Sequence, residues 1–383
     1  MNTTYDLIVV GLGIMGAATL WRAASRYSRV LGIDAYGPTH RYGSSQGSSR
    51  IFRRAYWEGD NYLPLLNHAD LLWNELEKTS QKQLLFRTGG IFIGPPSSRV
   101  VAGSVRTAGQ GAIEHELWDW SKITTRSPAF NITRETQALY EPGAYAIAAC
   151  DARLEMLNEA VKHGASTDFG HRVVHLENEG SDVRVTTNGG RSYLARSVIV
   201  TTGPWIADNL LPELKQLIEP RRVPIYWFTP KSGFEKLFAP EHFPIFLYER
   251  EDGALLYGVP SIAGNETGVK IGFHNRQHTP AAPDCKAIPV QQQYVTEITS
   301  IVESLFPTLE RSPTKASNCF YTMSPDESFL IGQSKVLKST YFASACSGHG
   351  FKFAPAIGDA LADLATGQPA RVSLSEFSAN RFE

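Results

Sequence analysis

The segment YDLIVVGLGIMG, residues 5–16, constrains this chain more than any other stretch. Its first half, YDLIVV, is a short apolar run rich in β-branched residues, the mark of a buried strand, and glycines at 11, 13 and 16 come directly after it. From Ile14 the segment IMGAATLWRAASRY carries small and apolar residues at helical spacing, and VLGID then reads as a second buried strand ending in Asp34. This is a complete βαβ unit for a dinucleotide. Gly11 permits the turn, Gly13 lets a pyrophosphate approach the backbone, and Gly16 lets helix and strand pack closely, while the helix N-terminus offers unpaired N–H groups to the phosphates. Asp34, 18 residues after Gly16, is placed to accept hydrogen bonds from ribose hydroxyls, which favours an adenosine without a 2′-phosphate. The competing reading is a set of helix-packing glycines in an unrelated α/β protein.

The stretch after Asp34 separates FAD from NAD. An NAD dehydrogenase would continue into further βαβ repeats, whereas HRYGSSQGSSRIFRRAYWE at 40–58 is a Gly/Ser-rich loop studded with arginines. Much later, RSYLARSVIVTTGPW at 191–205 gives a return strand with the apolar run SVIV. A return strand so far from the first unit implies a nucleotide domain made of discontinuous segments, and that arrangement favours FAD.

Composition removes other classes. Thirty-seven basic residues against 38 acidic ones leave a formal charge of −1, so no global field recruits nucleic acid or an anionic membrane. The four cysteines, at 150, 285, 319 and 346, contain no close pair of the kind that builds a zinc site, and 383 residues can bury a core without covalent staples. Reduced thiols in a soluble, unprocessed, cytoplasmic protein are expected, since the N-terminus shows no basic and apolar leader and nothing approaches a membrane span of roughly 20 apolar residues. The partner is expected to be small. Taken alone, Cys319 is more readily a buried small hydrophobe than a reactive group.

Two later stretches carry chemistry. CSGHGFKFAPAIGDALADLATG, 346–367, sets Gly348 and Gly350 around His349 and then becomes a helix with Ala356, Ile357, Ala360, Leu361 and Leu364 on its apolar face. Its N-terminus could stabilise negative charge on a reduced flavin, and Lys352 falls in the first turn, where a cation is electrostatically disfavoured. That lysine either snorkels to solvent or has a function. YGVPSIAGNETGVKIGFHN, 257–275, reads as two strands joined by a glycine-containing loop, with Lys270, Gly272 and His274 on one face. On an exposed face these are a solvated pair; beside a flavin, a fixed cation would stabilise developing superoxide or peroxide charge.

With these segments in view, the chain resembles the flavoprotein amine oxidases typified by monomeric sarcosine oxidase and N-methyltryptophan oxidase. The resemblance covers nearly the whole length and is carried by GLGIMG with Asp34, GSSQGSSRIFRRAYWEG, YGVPS followed by VKIGFH, NCFYTMSPDESFLIG and SGHGFKF. It implies FAD attached covalently to Cys319 through the 8α position, with O2 as oxidant and hydrogen peroxide as second product. It implies that Lys270 activates oxygen, that Arg53 and Lys352 hold a substrate carboxylate, and that His274, Tyr257 and Tyr321 line the pocket. Arg50 would stand beside the flavin and Gly348, His349 and Gly350 against its ring, with Ser44, Ser49, Val173 and Lys352 also touching the cofactor.

Two departures stand out. The best-known members carry SHHGDTR where this chain has SSQGSSR, so Gln46 occupies a position expected to be basic, and it hydrogen-bonds without carrying charge. They also carry glycine in AYGEG where this chain has Trp57, a ring that either reshapes the pocket entrance or covers surface. The expected architecture is a two-domain α/β flavoprotein: a discontinuous Rossmann-like FAD-binding domain from 1–84, 145–217 and 320–383, and a substrate domain from 85–144 and 218–319 with a mixed or antiparallel sheet. Its strand signals are RVPIYWFT, FPIFLYE, ALLYGVP and VKIGFH, close enough in sequence to favour antiparallel neighbours, followed by an amphipathic helix in QQQYVTEITSIVESLFP. The expected activity is oxidation of an N-methyl or other N-substituted amino acid by a monomer. Oxidation of a cyclic imino acid or a fructosyl amino acid, and a flavin-binding protein without turnover, are the alternatives.

Overall fold

A computed structural model describes residues 4–208, 210–262, 268–283 and 288–383. Cys285 and the centre of the glycine-containing loop after Val259, residues 263–267, lie outside the described residues.

The opening motif folds as its pattern requires. Strand β1 (Thr4–Val10) leads through the glycine turn into helix α1 (Ile14–Ala24) and then strand β2 (Val30–Asp34), which runs parallel to β1 with Leu7 opposite Val30. Both faces of β1 are covered, as expected of a parallel strand. Leu7 and Val9 pack with α1 and the helices Leu63–Ser80, Ala149–Lys162 and Ala354–Ala365, whereas Ile8 and Val10 pack with Leu31, Ile33, Leu211 and Leu214. The return strand Ser192–Val200 is the other parallel neighbour of β1, with Leu7 opposite Ser197. Its far end takes on the parallel strand Thr340–Ser344. One sheet thus gathers strands from three distant parts of the chain, and the carboxyl ends of its central strands open on one cleft.

The C-terminal helix Ala354–Ala365 is held against α1 by contact and by charge. A Cβ at Gly358 would lie 2.6 Å from backbone atoms of Ala18 and Thr19, so the two helices touch main chain to main chain. Overpacking there would cost about 1–3 kcal/mol. Next to it, Asp359 is 1% exposed and accepts hydrogen bonds from Arg22 Nε (2.7 Å), Arg26 Nη2 (2.6 Å) and His68 Nε2 (2.9 Å). Burial works against its ionisation, but the bond from His68 and the charges of Arg22 and Arg26 outweigh it and hold the carboxyl at about 2.

A second, nine-stranded sheet carries the other wall of the cleft. Its order is Thr279–Pro280, Glu219–Phe228, Val269–Phe273, Leu255–Val259, Ile245–Glu249, Gly90–Gly94, Gln137–Glu141 and Glu116–Asp119, with Lys315–Met323 paired to Glu219–Phe228. It is mixed, because Ile245–Glu249 runs parallel to Gly90–Gly94 and the other pairs are antiparallel. The expected neighbours Glu219–Phe228 and Ile245–Glu249 are separated by two strands. Residues 229–244 between them contain Pro230, Pro240 and Pro244 and are too long for a hairpin loop of two to five residues. The boundary expected at 319/320 falls inside the strand Lys315–Met323.

Alternation along these strands decides what faces the cleft. Val269, Ile271 and Phe273 point to the core under helix Gln292–Leu305, and Leu256 joins them. Lys270, His274, Leu255, Tyr257 and Val259 are therefore left on the opposite side, where all five line the cleft. A third, small sheet pairs strand β3 (Ser49–Phe52) with Tyr145–Ala148 and sets the arginine-rich loop beside them.

The Asp359 cluster yields a stability prediction. Its pKa is depressed, so the stabilisation is present above the unfolded value of roughly 4 and is lost as pH falls towards about 2. Asp359→Ala is expected to lower the unfolding free energy at pH 7 by about 3 kcal/mol. In denaturant titrations the gap between variant and wild type should shrink between pH 4 and pH 3; a gap independent of pH would show that the carboxylate charge is not what holds the helix.

Candidate active site

The first end of the cleft is the glycine turn. Gly11 has φ +88°, and a Cβ there would lie 2.8 Å from the carbonyl oxygen of Thr201, just past the return strand. A Cβ at Gly16 would lie 1.8 Å from the carbonyl oxygen of Gly11, so this third glycine serves packing. Asp34 accepts from the backbone N–H of Leu12 (2.6 Å) and of Tyr36 (2.8 Å), fixing the turn. A carboxylate offers roughly four acceptor sites, so it keeps capacity for ribose hydroxyls. Ser45 Oγ accepts from the N–H of Ile14 at 2.9 Å, bringing the Gly/Ser loop over the start of α1. Val173 opens the strand Val173–Glu179 and lines the same end.

The cleft fits a long polar cofactor. Ser44 Oγ, His40 Nε2, Thr202 Oγ1 and Thr322 Oγ1 are buried along it without a hydrogen-bond partner among the described residues. Buried polar atoms are ordinarily paired, so these unsatisfied atoms along one cleft suit a ligand that supplies donors and acceptors, as the ribityl and diphosphate portions of FAD do.

In the middle of the cleft, two cations hold the Gly/Ser loop by its carbonyls. Arg50 donates to the carbonyl oxygens of Ser49 (2.8 Å), Ser44 (2.9 Å) and Gln46 (2.6 Å), and Lys270 Nζ donates to Ser49 (2.8 Å). Lys270 is only 3% exposed. The Gln46 side chain donates to the Asn318 carbonyl at 2.5 Å, tying the loop to the strand that bears Cys319. Cys319 Sγ lies 3.7 Å from the carbonyl oxygen of Ser44 and is buried. Burial pushes its thiol up, with Arg50 and Lys270 pulling the other way.

The far end is a cationic corner. Arg53, 3% exposed, and Lys352, 5% exposed, lie over the ring of the fully buried Tyr56 at 4.3 Å and 5.0 Å from its centroid. Arg53 Nη2 meets both carboxylate oxygens of Glu58 at 2.6 Å, and Nη1 donates to the Ala55 carbonyl at 3.1 Å. Burial pushes Glu58 up, but the charge of Arg53 first, and then that of Lys352, outweigh it and hold the carboxyl below its ordinary range. Lys352 Nζ donates to the His349 carbonyl at 2.7 Å; burial first, then Arg53, lowers it to about 7 against the opposing pull of Glu58. His349 Nε2 faces the Glu327 carbonyl at 3.0 Å and must donate to it; burial lowers the ring to about 3, so it is neutral and Nδ1 accepts from the Tyr56 hydroxyl at 2.6 Å. Behind the corner, buried Glu141 accepts from the N–H groups of Arg54 (3.0 Å) and Ala55 (3.0 Å), which sets the backbone after Arg53.

Lys352 does not sit in the first helical turn, as its spacing suggested. Residues Phe351–Phe353 form a 3₁₀ turn before the helix Ala354–Ala365, and the chain there is held by Trp73 Nε1 donating to the Lys352 carbonyl at 2.8 Å. The ammonium faces a carbonyl rather than the helix dipole. Gly348, with φ +82°, admits the ring of Tyr321, which a Cβ would meet at 2.6 Å.

The remaining wall is aromatic and uncharged. Tyr257, Tyr321, His274 and Trp57 line it with Leu247 and Leu255. Burial holds His274 at about 4, with the opposing pull of Glu58 too weak to restore it, and pushes the phenols of Tyr257 and Tyr321 up. Trp57 faces the cleft, edge-on to His274 with centroids 6.5 Å apart, so it does not merely cover surface.

Every candidate site residue read from the sequence lines this cleft except Gly16, which packs beneath it. Sequence reading missed Tyr56, Glu58 and Glu141. Glu58 lies in the quoted RRAYWEG, five residues after Arg53, and that proximity was its available signal. Glu141 is brought in by the sheet and had none.

The comparisons agree with this geometry. Residues 6–364 match the family model described as FAD dependent oxidoreductase. The chain is 36% identical over 366 residues to a monomeric sarcosine oxidase of Streptomyces avermitilis, covering 95% of this chain and 94% of that one. It is 31% identical to an N-methyl-L-tryptophan oxidase of Salmonella dublin, covering 99% of each. Among solved structures, NikD, an unusual amino acid oxidase of nikkomycin biosynthesis, superposes with TM-score 0.83 at 21% identity over 98% of this chain and 97% of that one. The L-proline dehydrogenase of P. horikoshii does so with TM-score 0.83 at 18% identity, covering 100% and 98%. The α/β cofactor sheet and the mixed second sheet are those of two-domain FAD enzymes, and the chain belongs to the FAD dependent oxidoreductase family.

Proposed function

We propose that this chain is an oxidase of secondary amines that carry a carboxylate, acting on an N-methyl or other N-substituted amino acid. Dioxygen is the final acceptor, and the products are an imine, which hydrolyses, and hydrogen peroxide. The observation that carries the reading is the corner in which Arg53 and Lys352, both buried, lie over Tyr56 at the end of a cleft that begins at the dinucleotide motif. The substrates of the curated relatives, sarcosine and N-methyltryptophan by name, support it.

Flavin supplies a two-electron acceptor for hydride when bound in the cleft. The side chains do the rest by orientation. Arg53 offers a guanidinium already oriented by Glu58 and Lys352 a point charge, so a carboxylate held between them has a fixed direction and the C–H bond next to nitrogen is aimed. The amine must arrive or become unprotonated, and no side chain is assigned to take that proton. Lys270, buried on the cleft face of its strand, is the cation assigned to charge developing on oxygen. Cys319 is assigned as the covalent tether. We read the enzyme as a cytoplasmic monomer with no nucleic-acid or membrane partner; among the described residues no helix is long and apolar enough to cross a membrane.

Three measurements test this. Anaerobic mixing with N-methyl amino acids should bleach the flavin of wild type, and Arg53→Ala should raise KM for carboxylate-bearing substrates by about 10²-fold with a smaller fall in kcat. Bleaching by dithionite but by no N-substituted amino acid would instead favour a flavin-binding protein without turnover. Because Lys352 is lowered to about 7, its cation is present below that pH and lost above it. The Kd of an unreactive carboxylate such as acetate, read from the flavin absorbance, should therefore rise as pH increases through 7; a flat profile would remove Lys352 from the carboxylate site. Acid precipitation should leave the yellow colour in the pellet of wild type and in the supernatant of Cys319→Ser, and colour released from wild type would rule out the tether.

A further inference from the structure

We propose that Trp57 sets the size limit of the substrate, restricting this site to N-substituted amino acids whose α-substituent is small, uncharged and apolar. The inference rests on the carboxylate-bearing amine reading above and deepens it.

Position gives the first argument. Trp57 immediately precedes Glu58, whose carboxylate grips Arg53 through both oxygens, so its backbone is fixed one residue from the cationic corner. On its other side the main chain rests on helix Arg99–Gln110: a Cβ at Gly103 would lie 3.0 Å from Trp57 Cα, Cβ and carbonyl oxygen. With one end tied to the ion pair and the other seated on a glycine, the backbone that carries the ring cannot shift without disturbing either. It packs beside Leu63, Val105 and Tyr257 on the apolar cluster of Phe92, Leu247 and Leu255, and meets His274 edge-on.

The chemistry of the wall gives the second. A ligand whose carboxylate is held at Arg53 and Lys352 presents its α-substituent to the wall beside that corner: Arg53 lies over the ring of Phe92, and in the same cluster Trp57, Leu247, Leu255 and Tyr257 offer that substituent apolar surface. The histidine there is neutral, so a charged side chain would lose water without gaining an opposite charge from that wall. A long apolar one would meet a ring already packed on its far side, and packed walls give way poorly to added volume. The indole N–H is buried without an acceptor among the described residues, so shape rather than a hydrogen bond places the ring.

The test compares holoenzyme variants across substrate size. Wild type should lose kcat/KM along N-methylglycine, N-methylalanine, N-methylleucine and N-methylphenylalanine, and should reject N-methylaspartate. Trp57→Ala should raise the ratio of the large to the small substrates by about tenfold or more, in line with what one or two methylenes decide in an apolar pocket. Trp57→Leu, which keeps an apolar side chain in the cluster, should give an intermediate gain and serves where the alanine variant does not fold. Trp57→Phe should keep the wild-type order. Independently of turnover, the Kd of indole-2-carboxylate relative to acetate, read from flavin absorbance, should fall in Trp57→Ala. Ratios unchanged by Ala or Leu, relaxed equally by Phe, or turnover of N-methylaspartate comparable with N-methylglycine would overturn the proposal. Failure of wild type to bind any carboxylate would overturn the underlying function instead, and the two failures are distinct.

Discussion

Two buried cations on one tyrosine ring are the constraint on which the rest of this structure turns. Arg53 comes from the arginine-rich loop after the first βαβ unit and Lys352 from the turn before the last helix, so the corner exists only if the two ends of the chain meet. They meet because the C-terminal helix lies main chain to main chain on α1, with no side chain at Gly358 to hold it off and with Asp359 gathering Arg22, Arg26 and His68. A buried, paired carboxylate destabilises the fold most when one partner is removed. The ion cluster behind the sheet is therefore also what keeps Lys352 opposite Arg53.

The charge at the corner is balanced within the protein. Burying a guanidinium and an ammonium side by side is unfavourable, and two features reduce the cost: Glu58 supplies an anion to Arg53, and Lys352 is shifted until it ionises near neutrality. Tyr56 contributes its ring face to both cations and its hydroxyl to His349 Nδ1, which fixes the neutral tautomer. Those contacts explain why a tyrosine with no exposed surface stands at the centre of a polar site.

What the sequence made legible divides along physical lines. The dinucleotide unit was readable because strand, turn, helix and terminal acid are consecutive, and each glycine has a local reason to be glycine. The face shared by Lys270 and His274 was readable because a strand has period two. Sheet order was not: the hairpin of Leu255–Val259 and Val269–Phe273 stands between strands that precede it, and only packing against the helix Gln292–Leu305 decides that. Glu141 was invisible because its partners are backbone N–H groups some 86 residues away, and no side-chain pattern records them. The Lys352 expectation erred by one turn, since a 3₁₀ segment and an α-helix share the same apolar spacing over three residues.

Gln46 shows how a departure from a family pattern is absorbed. At a position where a basic side chain was expected, the amide donates to the carbonyl of Asn318, and the Gln46 carbonyl accepts from Arg50. The loop thus keeps its link to the strand of Cys319 without a charge of its own, while Arg50 and Lys270 remain the cations that act on the thiol. Burial raises that thiol and those two cations lower it, so the balance of thiol and thiolate at Cys319 depends on them more than on residue 46. The positive potential that opposes the burial penalty on the thiol is supplied by the arginine and lysine that also fix the loop.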